Sequence, residues 1–325
     1  MSEQAERERK VADCPFCTCP EVSGRWSVAE MMFGCADRFA YNECSACGSL
    51  YIDTVPAELA RYYPSNYYSF KERKPTLRDR LRRARIGFAA TREGMLGRIL
   101  CALAGEPSAS AWLNPLGLTR SSAIVDVGCG SGALLRDLRA AGYTHLTGID
   151  PFLEKDMEAD GVQIRKLALH EFTREVDVFM FHHSLEHMEN PRETFRFCRS
   201  RLRDGGKLLV RIPVAGSWAC REYREHWVQL DAPRHLAIPS VAGMRTLAEQ
   251  TGFTLETTVF DSHALQFYGS LRNVPPRHCT QERKSEAAVF PTAMARVRKA
   301  QRRTERTGPR RCSLLHPSQE LIVLA

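Results

Sequence analysis

No stretch of this 325-residue chain approaches the roughly 18 consecutive apolar residues of a membrane-crossing helix, so no such span is expected. The opening residues, MSEQAERERK, lack the apolar core of an export signal, and the chain reads as cytoplasmic. Nor does its body carry an excess of positive charge. The net charge is +8, but Lys71 to Arg85 holds +6 and Arg296 to Arg311 holds +7, which leaves the remainder at −5. General nucleic-acid binding is therefore not what the charge encodes, and each basic run reads as a solvated face or tail able to touch an anionic surface. Cystine cross-links are foreign to a reducing compartment, so the 12 cysteines need another explanation. With 43% hydrophobic residues there is ample material for a core, in one large domain with an appendage or in two domains.

The most informative stretch is Ile124 to Ala133, IVDVGCGSGA. Apolar Ile124, Val125 and Val127 suit a parallel strand buried on both faces, and Gly128, Gly130 and Gly132 remove side chains that would keep a ligand off the backbone. Leu134 to Ala141 then reads as a helix whose first turn meets that ligand. Gly128-x-Gly130-x-x-Ala133 also satisfies the relaxed dinucleotide fingerprint, so an NAD-dependent dehydrogenase or epimerase stands as an alternative. Asp126 argues against it: a carboxylate two residues ahead of the first glycine repels a pyrophosphate but suits the ammonium group of S-adenosylmethionine.

This segment resembles motif I of the class I S-adenosylmethionine-dependent methyltransferases, a likeness that extends over roughly Ser121 to Asp261. The resemblance implies an α/β fold, a Rossmann-like, mostly parallel open sheet of about six or seven strands flanked by helices, bearing a small N-terminal zinc ribbon. It also assigns residues. Asp150, after the strand His145 to Ile149, would take the two ribose hydroxyls, and His183 would stand beside the cofactor at the end of a later strand.

Cys14-x-x-Cys17 and Cys44-x-x-Cys47 form two knuckles of the kind that close a zinc ribbon, and four thiolates leave a bound Zn²⁺ no open position, so this metal is structural. Cys19 and Cys35 stay outside the scheme. A tyrosine-rich stretch follows, with Tyr51, Tyr62, Tyr63, Tyr67 and Tyr68. Some small-molecule and sugar methyltransferases of the same class carry a similar piece, which by that resemblance lids the substrate pocket and makes Tyr68 a substrate candidate. Apolar spacing from Leu77 to Leu103 predicts a helical connector, and Pro107 to Gly117 a loop. The boundaries expected are 1–55 for the ribbon, 56–118 for the connector, 119–270 for the catalytic domain and 271–325 for a basic tail.

Val176 to Phe181 is an apolar strand that runs into His182-His183-Ser184-Leu185-Glu186-His187. His183-x-x-Glu186-His187 matches an inverted zinc-protease signature, but that chemistry needs both histidines on a long helix rather than at a strand end. A Leu-Glu-His tripeptide here resembles the ubiquinone-type O-methyltransferases, some of which hold a divalent cation at this place with acids and histidines; this chain has His183 where an acid is usual. Glu186 and His187 are thereby catalytic candidates that orient substrate. Trp218 to Ser240 reads as a long substrate-selecting loop, with Tyr223, Trp227, Asp231 and Arg234 as substrate-binding candidates. Its phrase WVQLDAPRHL resembles the substrate loop of the zinc-ribbon subgroup, and His235 matches the base of related sugar C-methyltransferases, although Arg234 stands where those enzymes have an acid.

Val241 to Gln250 reads as a helix and Thr254 to Phe260 as a strand. From about Gly308 the family pattern fades, so an edge strand is expected to be lost. The function expected is methyl transfer to an oxygen or carbon of a small-molecule acceptor, sugar or quinol-like. A zinc-ribbon nucleic-acid-binding module, using the two basic runs, is the reading from another class.

Overall fold

In the computed structural model the described residues are 8–35, 37–63, 76–92, 94–107, 109–159, 161–261, 265–274 and 320–324. The strands are β1 (Arg9–Lys10), β2 (Val22–Ala29), β3 (Arg38–Cys44), β4 (Leu50–Ile52), β5 (Thr54–Val55), β6 (Ala123–Val127), β7 (His145–Ile149), β8 (Met157–Ala159), β9 (Val162–Arg165), β10 (Val176–His182), β11 (Leu202–Pro213), β12 (Ala237–Ile238), β13 (Phe260–Asp261) and β14 (Glu320–Leu324). The helices are α1 (Leu77–Thr91), α2 (Met95–Ala104), α3 (Ser110–Leu113), α4 (Ala133–Ala140), α5 (Pro191–Arg201), α6 (Trp218–Tyr223), α7 (Val241–Gln250) and α8 (Leu265–Asn273). None of them is long and apolar enough to cross a membrane.

The main sheet runs β13-β14-β11-β10-β6-β7-β9-β8, one strand more than the upper expectation. Pairings from β11 through β10, β6 and β7 to β9 are parallel. Its central strands are apolar on both faces because helices cover both, which is why β6 and β10 read as continuous hydrophobic runs. From β6 the chain first builds outward through β7 and β9, then returns to lay β10 on the other side. The crevice between the carboxyl ends of β6 and β10 is thus a topological switch point, the place where ligands bind in such sheets.

Local chemistry sets the helix ends. Thr76 and Asp79 form a reciprocal capping box at α1, Asn190 caps α5 ahead of Pro191, and Ser240 caps α7. The expected single connector is two helices, broken where Arg92 turns left-handed with φ of 58°. Buried Asp137 on α4 accepts from Arg82 Nη2 (2.5 Å) and Arg83 Nε (2.7 Å), which ties α1 to the catalytic core and takes two charges of the first basic run out of play.

Several expectations are corrected. The 107–117 loop contains α3, and the 218–240 loop contains α6 and 3₁₀ turns, because its aromatic residues pack inward. Within 254–260 only Phe260 belongs to a strand, opposite Leu321, and Thr257 forms an isolated bridge. That β14 exists at all overturns the lost edge: the 320–324 backbone lies antiparallel between β11 and β13.

The second sheet runs β12-β4-β3-β2. Three of its strands come from the cysteine-bearing segment and the fourth, β12, from the residues just after His235, with Ala237 opposite Tyr51. Cys14, Phe16 and Cys44 share a core with Met244, Leu247 and Phe253.

Candidate active site

The glycine turn leaves β6 at the switch point. Gly128 N donates to Ile149 O at 2.8 Å, which pins the turn to the end of β7. Gly128 has φ of 74°, and a Cβ there would stand 2.6 Å from Ser184 Cβ, whose Oγ donates to Val127 O. At Gly132 a Cβ would meet Ile164 Cδ1 at 2.2 Å. These two glycines are therefore required by the protein's own packing as well as by any ligand, a reason the sequence alone does not disclose.

Asp126 is 3% exposed, and its Oδ1 has no hydrogen-bond partner among the described residues. Burial, with Asp150 nearby, raises its carboxyl to about 8. Asp150 is anchored: Oδ2 accepts from Gly130 N and Oδ1 from Phe152 N, both at 3.0 Å. Burial raises this carboxyl too, opposed by those two donors. The turn thus presents one fixed carboxylate and one without a partner on Oδ1, side by side on neighbouring strand ends.

Beyond β10, His183 adopts a left-handed backbone (φ 55°), and a 3₁₀ turn carries Leu185 to His187. Glu186 is fully buried with neither carboxylate oxygen hydrogen-bonded. His183 Nδ1 stands 3.4 Å from Glu186 Oε1, an ion pair only when that imidazole is protonated, and His235 Nε2 is 4.0 Å away. Burial opposes charge on Glu186, yet His183, His235 and His187 around it hold its carboxyl below the usual glutamate range. The rings of His187 and His235 meet edge to face at 4.7 Å between centroids. Nδ1 of His187 lies 2.9 Å from Arg234 O, and Nδ1 of His235 lies 2.7 Å from Gln229 O. Carbonyl partners accept, so Nδ1 carries a proton in both rings. Burial, then His235, depresses the His187 pKa to about 4. The three catalytic candidates are therefore brought together, with two imidazoles beside one carboxylate.

Of the substrate candidates, Arg234, Trp227 and Tyr223 are buried in the interior. Arg234 is fully buried: Nε and Nη2 bond Asp231 (2.9 and 2.6 Å), Nη2 also reaches Glu30 Oε1 at 2.8 Å, and Nη1 donates to Tyr62 O at 3.1 Å. Trp227 and Tyr223 sit in the core beneath the second sheet. Asp231 keeps Oδ2 3.9 Å from His235 Nε2. Tyr68 lies outside the described residues, as does Tyr67.

The sequence reading missed Tyr63, whose hydroxyl is 3.1 Å from His187 Nδ1 and whose ring stacks on Phe152, the residue two past Asp150. It missed Glu30 as well, which accepts from Phe33 and Cys35 amides and from Arg234. A lone buried acid just after a ribbon strand carries no sequence signal; the tyrosine cluster does, and Tyr63 is its member found beside His187.

The four knuckle thiols converge. Cys14 and Cys47 Sγ are 3.6 Å apart and Cys17 and Cys44 Sγ 3.4 Å, too long for a disulfide and close to the edge of a tetrahedron with metal–sulfur bonds of about 2.3 Å. Backbone amides of Cys17 and Phe16 act on the Cys14 sulfur, as in a metal-binding knuckle.

Comparison with known proteins follows this geometry. Residues 102–258 match the family model described as a methyltransferase domain. No curated protein matches. Among solved structures, a mycolic acid cyclopropane synthase complexed with SAH and CTAB is similar, at 17% identity over 56% of this chain and 70% of that one, TM-score 0.40. Magnesium protoporphyrin IX methyltransferase from Synechocystis PCC 6803 with bound SAH is similar at 16% identity, over 63% of this chain and 87% of that one, TM-score 0.39. The cyclopropane synthase MmaA2 from Mycobacterium tuberculosis is 18% identical over 68% and 88% respectively, TM-score 0.39. At these levels no acceptor is carried over to this chain. Residues 102–258 thus resemble a methyltransferase domain.

Proposed function

We propose that the protein transfers a methyl group from S-adenosylmethionine to an oxygen or carbon of a small molecule, of the sugar or quinol-like class, at the carboxyl ends of β6 and β10. The observation that carries this reading is the pair of carboxylates around the glycine turn. Asp150, held by two amides, is preset to accept from ribose hydroxyls, and buried Asp126 has an oxygen free to meet an ammonium group. A dinucleotide's pyrophosphate would instead meet two acids, which disfavours the NAD reading.

The bound cofactor supplies an electrophilic methyl carbon. Held by Asp126 and Asp150 at the glycine turn, it would supply that methyl to the acceptor's oxygen or carbon, the methyl–sulfur electron pair remaining on sulfur. The acceptor's proton departs through the cluster of Glu186, His187 and His235, which lies one turn beyond Ser184, the residue packed on Gly128. Arg234, Trp227 and Tyr223 are positioning residues, which hold the loop that aims His235. Asp231 links that buried charge network to the imidazole, and Tyr63 stands on the acceptor side of His187. His183 borders both the cofactor turn and the cluster. Cys14, Cys17, Cys44 and Cys47 hold a structural Zn²⁺, a role their spacing supports.

The test is a thermal-shift panel with S-adenosylmethionine, S-adenosylhomocysteine and NADH. Stabilisation by the first two and none by NADH is expected; the converse would replace this reading with the oxidoreductase one.

A further inference from the structure

We infer that the helical pair α1 and α2 docks the protein on an anionic bilayer surface, the outer face of α2 entering the headgroup boundary and α1 lying against the headgroups. A surface helix ordinarily turns its polar residues to solvent. In α2 the order is reversed: Met95, Leu96, Ile99 and Leu103 are 79, 57, 50 and 81% exposed, and their three- and four-residue spacing puts them on one stripe. Arg98 is the only charged residue of this helix. On α1, Leu77 and Leu81, one turn apart, are exposed as well. Soluble proteins rarely leave such an apolar stripe bare unless something binds it.

The stripe belongs to a fixed surface, because the opposite face of α2 is closely packed. At Gly97 a Cβ would stand 2.2 Å from Ala84 O and 2.6 Å from Phe88 Cβ, so the absence of a side chain is what lets α2 lie this near α1. Arg85 Nη2 on α1 donates to Ala104 O at 3.0 Å and to Gly105 O at 2.5 Å, which sets a cation at the carboxyl end of α2, where the helix dipole is negative. Asp137 in turn ties α1 to α4 through Arg82 and Arg83. With its inner face spent on α1, α2 presents the apolar stripe outward.

Charge and shape decide what covers it. Lys71 to Arg85 carries +6, and Arg78 and Arg80 of that run are exposed on α1. A bilayer with anionic headgroups offers negative charge directly beside an apolar layer, and so takes up the basic and the apolar parts of the pair together. A second copy docked face to face would instead set one basic run against another. A partner helix seeks an apolar groove, whereas α2, outermost on α1, is a ridge. The basic run thereby gains a role that methyl transfer does not give it, and the inference stands independently of that reading.

The experiment is co-sedimentation of the full chain with vesicles of phosphatidylcholine alone and of equal parts phosphatidylcholine and phosphatidylglycerol. Wild type is expected to bind the mixed vesicles roughly tenfold or more tighter than the neutral ones, with affinity that falls as salt rises. The double variant Ile99→Asp, Leu103→Asp should weaken that binding roughly tenfold or more, and Arg78→Glu, Arg80→Glu by a similar factor. All four positions are exposed, so urea midpoints near wild type are expected and show that the fold is kept. No binding of wild type to the mixed vesicles would overturn the inference. So would binding that the α2 variant leaves unchanged, which would assign it to charge alone, such as the run Arg296 to Arg311. A wild-type dimer that the α2 variant turns monomeric, with no vesicle binding, would give the stripe to a second copy instead. If the α2 variant does not fold, the wild-type preference and the α1 variant decide.

Discussion

Asp126 shows how one side chain couples burial to ligand charge. Its folded pKa of about 8 lies above the unfolded value near 4, so the fold favours the neutral carboxyl. That contribution to stability is complete below pH 4 and is lost as pH rises towards 8. The ligand-free protein should accordingly lose melting temperature across this window more steeply than Asp126→Asn. A bound ammonium group favours the ionised form, so affinity for S-adenosylhomocysteine should rise with pH up to about 8 and then level off. In Asp126→Asn the pH slope should vanish and affinity fall roughly tenfold to 100-fold, the worth of a charge-assisted hydrogen bond of about 1.5–3 kcal/mol. Calorimetric titration at several pH values checks both; an unchanged slope in the variant would remove Asp126 from the cofactor site.

At the scale of elements, the loop from α6 to α7 derives its shape from partners far away in the chain. Arg234 joins it to Glu30 at the end of β2, and Tyr41 Oη on β3 donates to His235 O at 2.7 Å. Replacing Arg234 by Met would leave Glu30 and Asp231 buried without their cation. We expect a loss of about 3–5 kcal/mol in urea unfolding. A loss below 1 kcal/mol would show that the triad does not hold the loop. The α7 contact is equally close: a Cβ at Gly243 would meet Ser49 Oγ at 2.2 Å and Cys47 Sγ at 3.2 Å. Gly243→Ala should therefore destabilise the protein by about 1–3 kcal/mol, measured in the same unfolding assay, because the knuckle must move off the helix.

Taken whole, the cysteine-bearing segment is an integral wall of the catalytic body, since β12 completes its sheet and its core runs into α7. A chelator that strips the Zn²⁺ proposed at Cys14, Cys17, Cys44 and Cys47 should lower the melting temperature of the entire chain in one transition, and cofactor-induced stabilisation should shrink with it. A separate early transition that leaves the cofactor shift intact would mean the two parts are energetically independent.

The amino-acid order determined the features whose physics is local. Alternating glycines after a buried apolar strand mark a tight turn, β6, β7 and β10 announce themselves because both of their faces are covered, and paired CxxC knuckles mark a set of thiols that converges. Glu186, His187 and His235 were legible as candidates, yet their convergence was not. Tertiary structure alone decided that Arg234 and Trp227 are interior, that Tyr63 reaches His187, and that the 320–324 backbone pairs with β11 and β13. Each of these outcomes depends on partners about 100 to 200 residues distant in sequence, and a charge or an indole reads the same in a chain whether its partner buries it or water does.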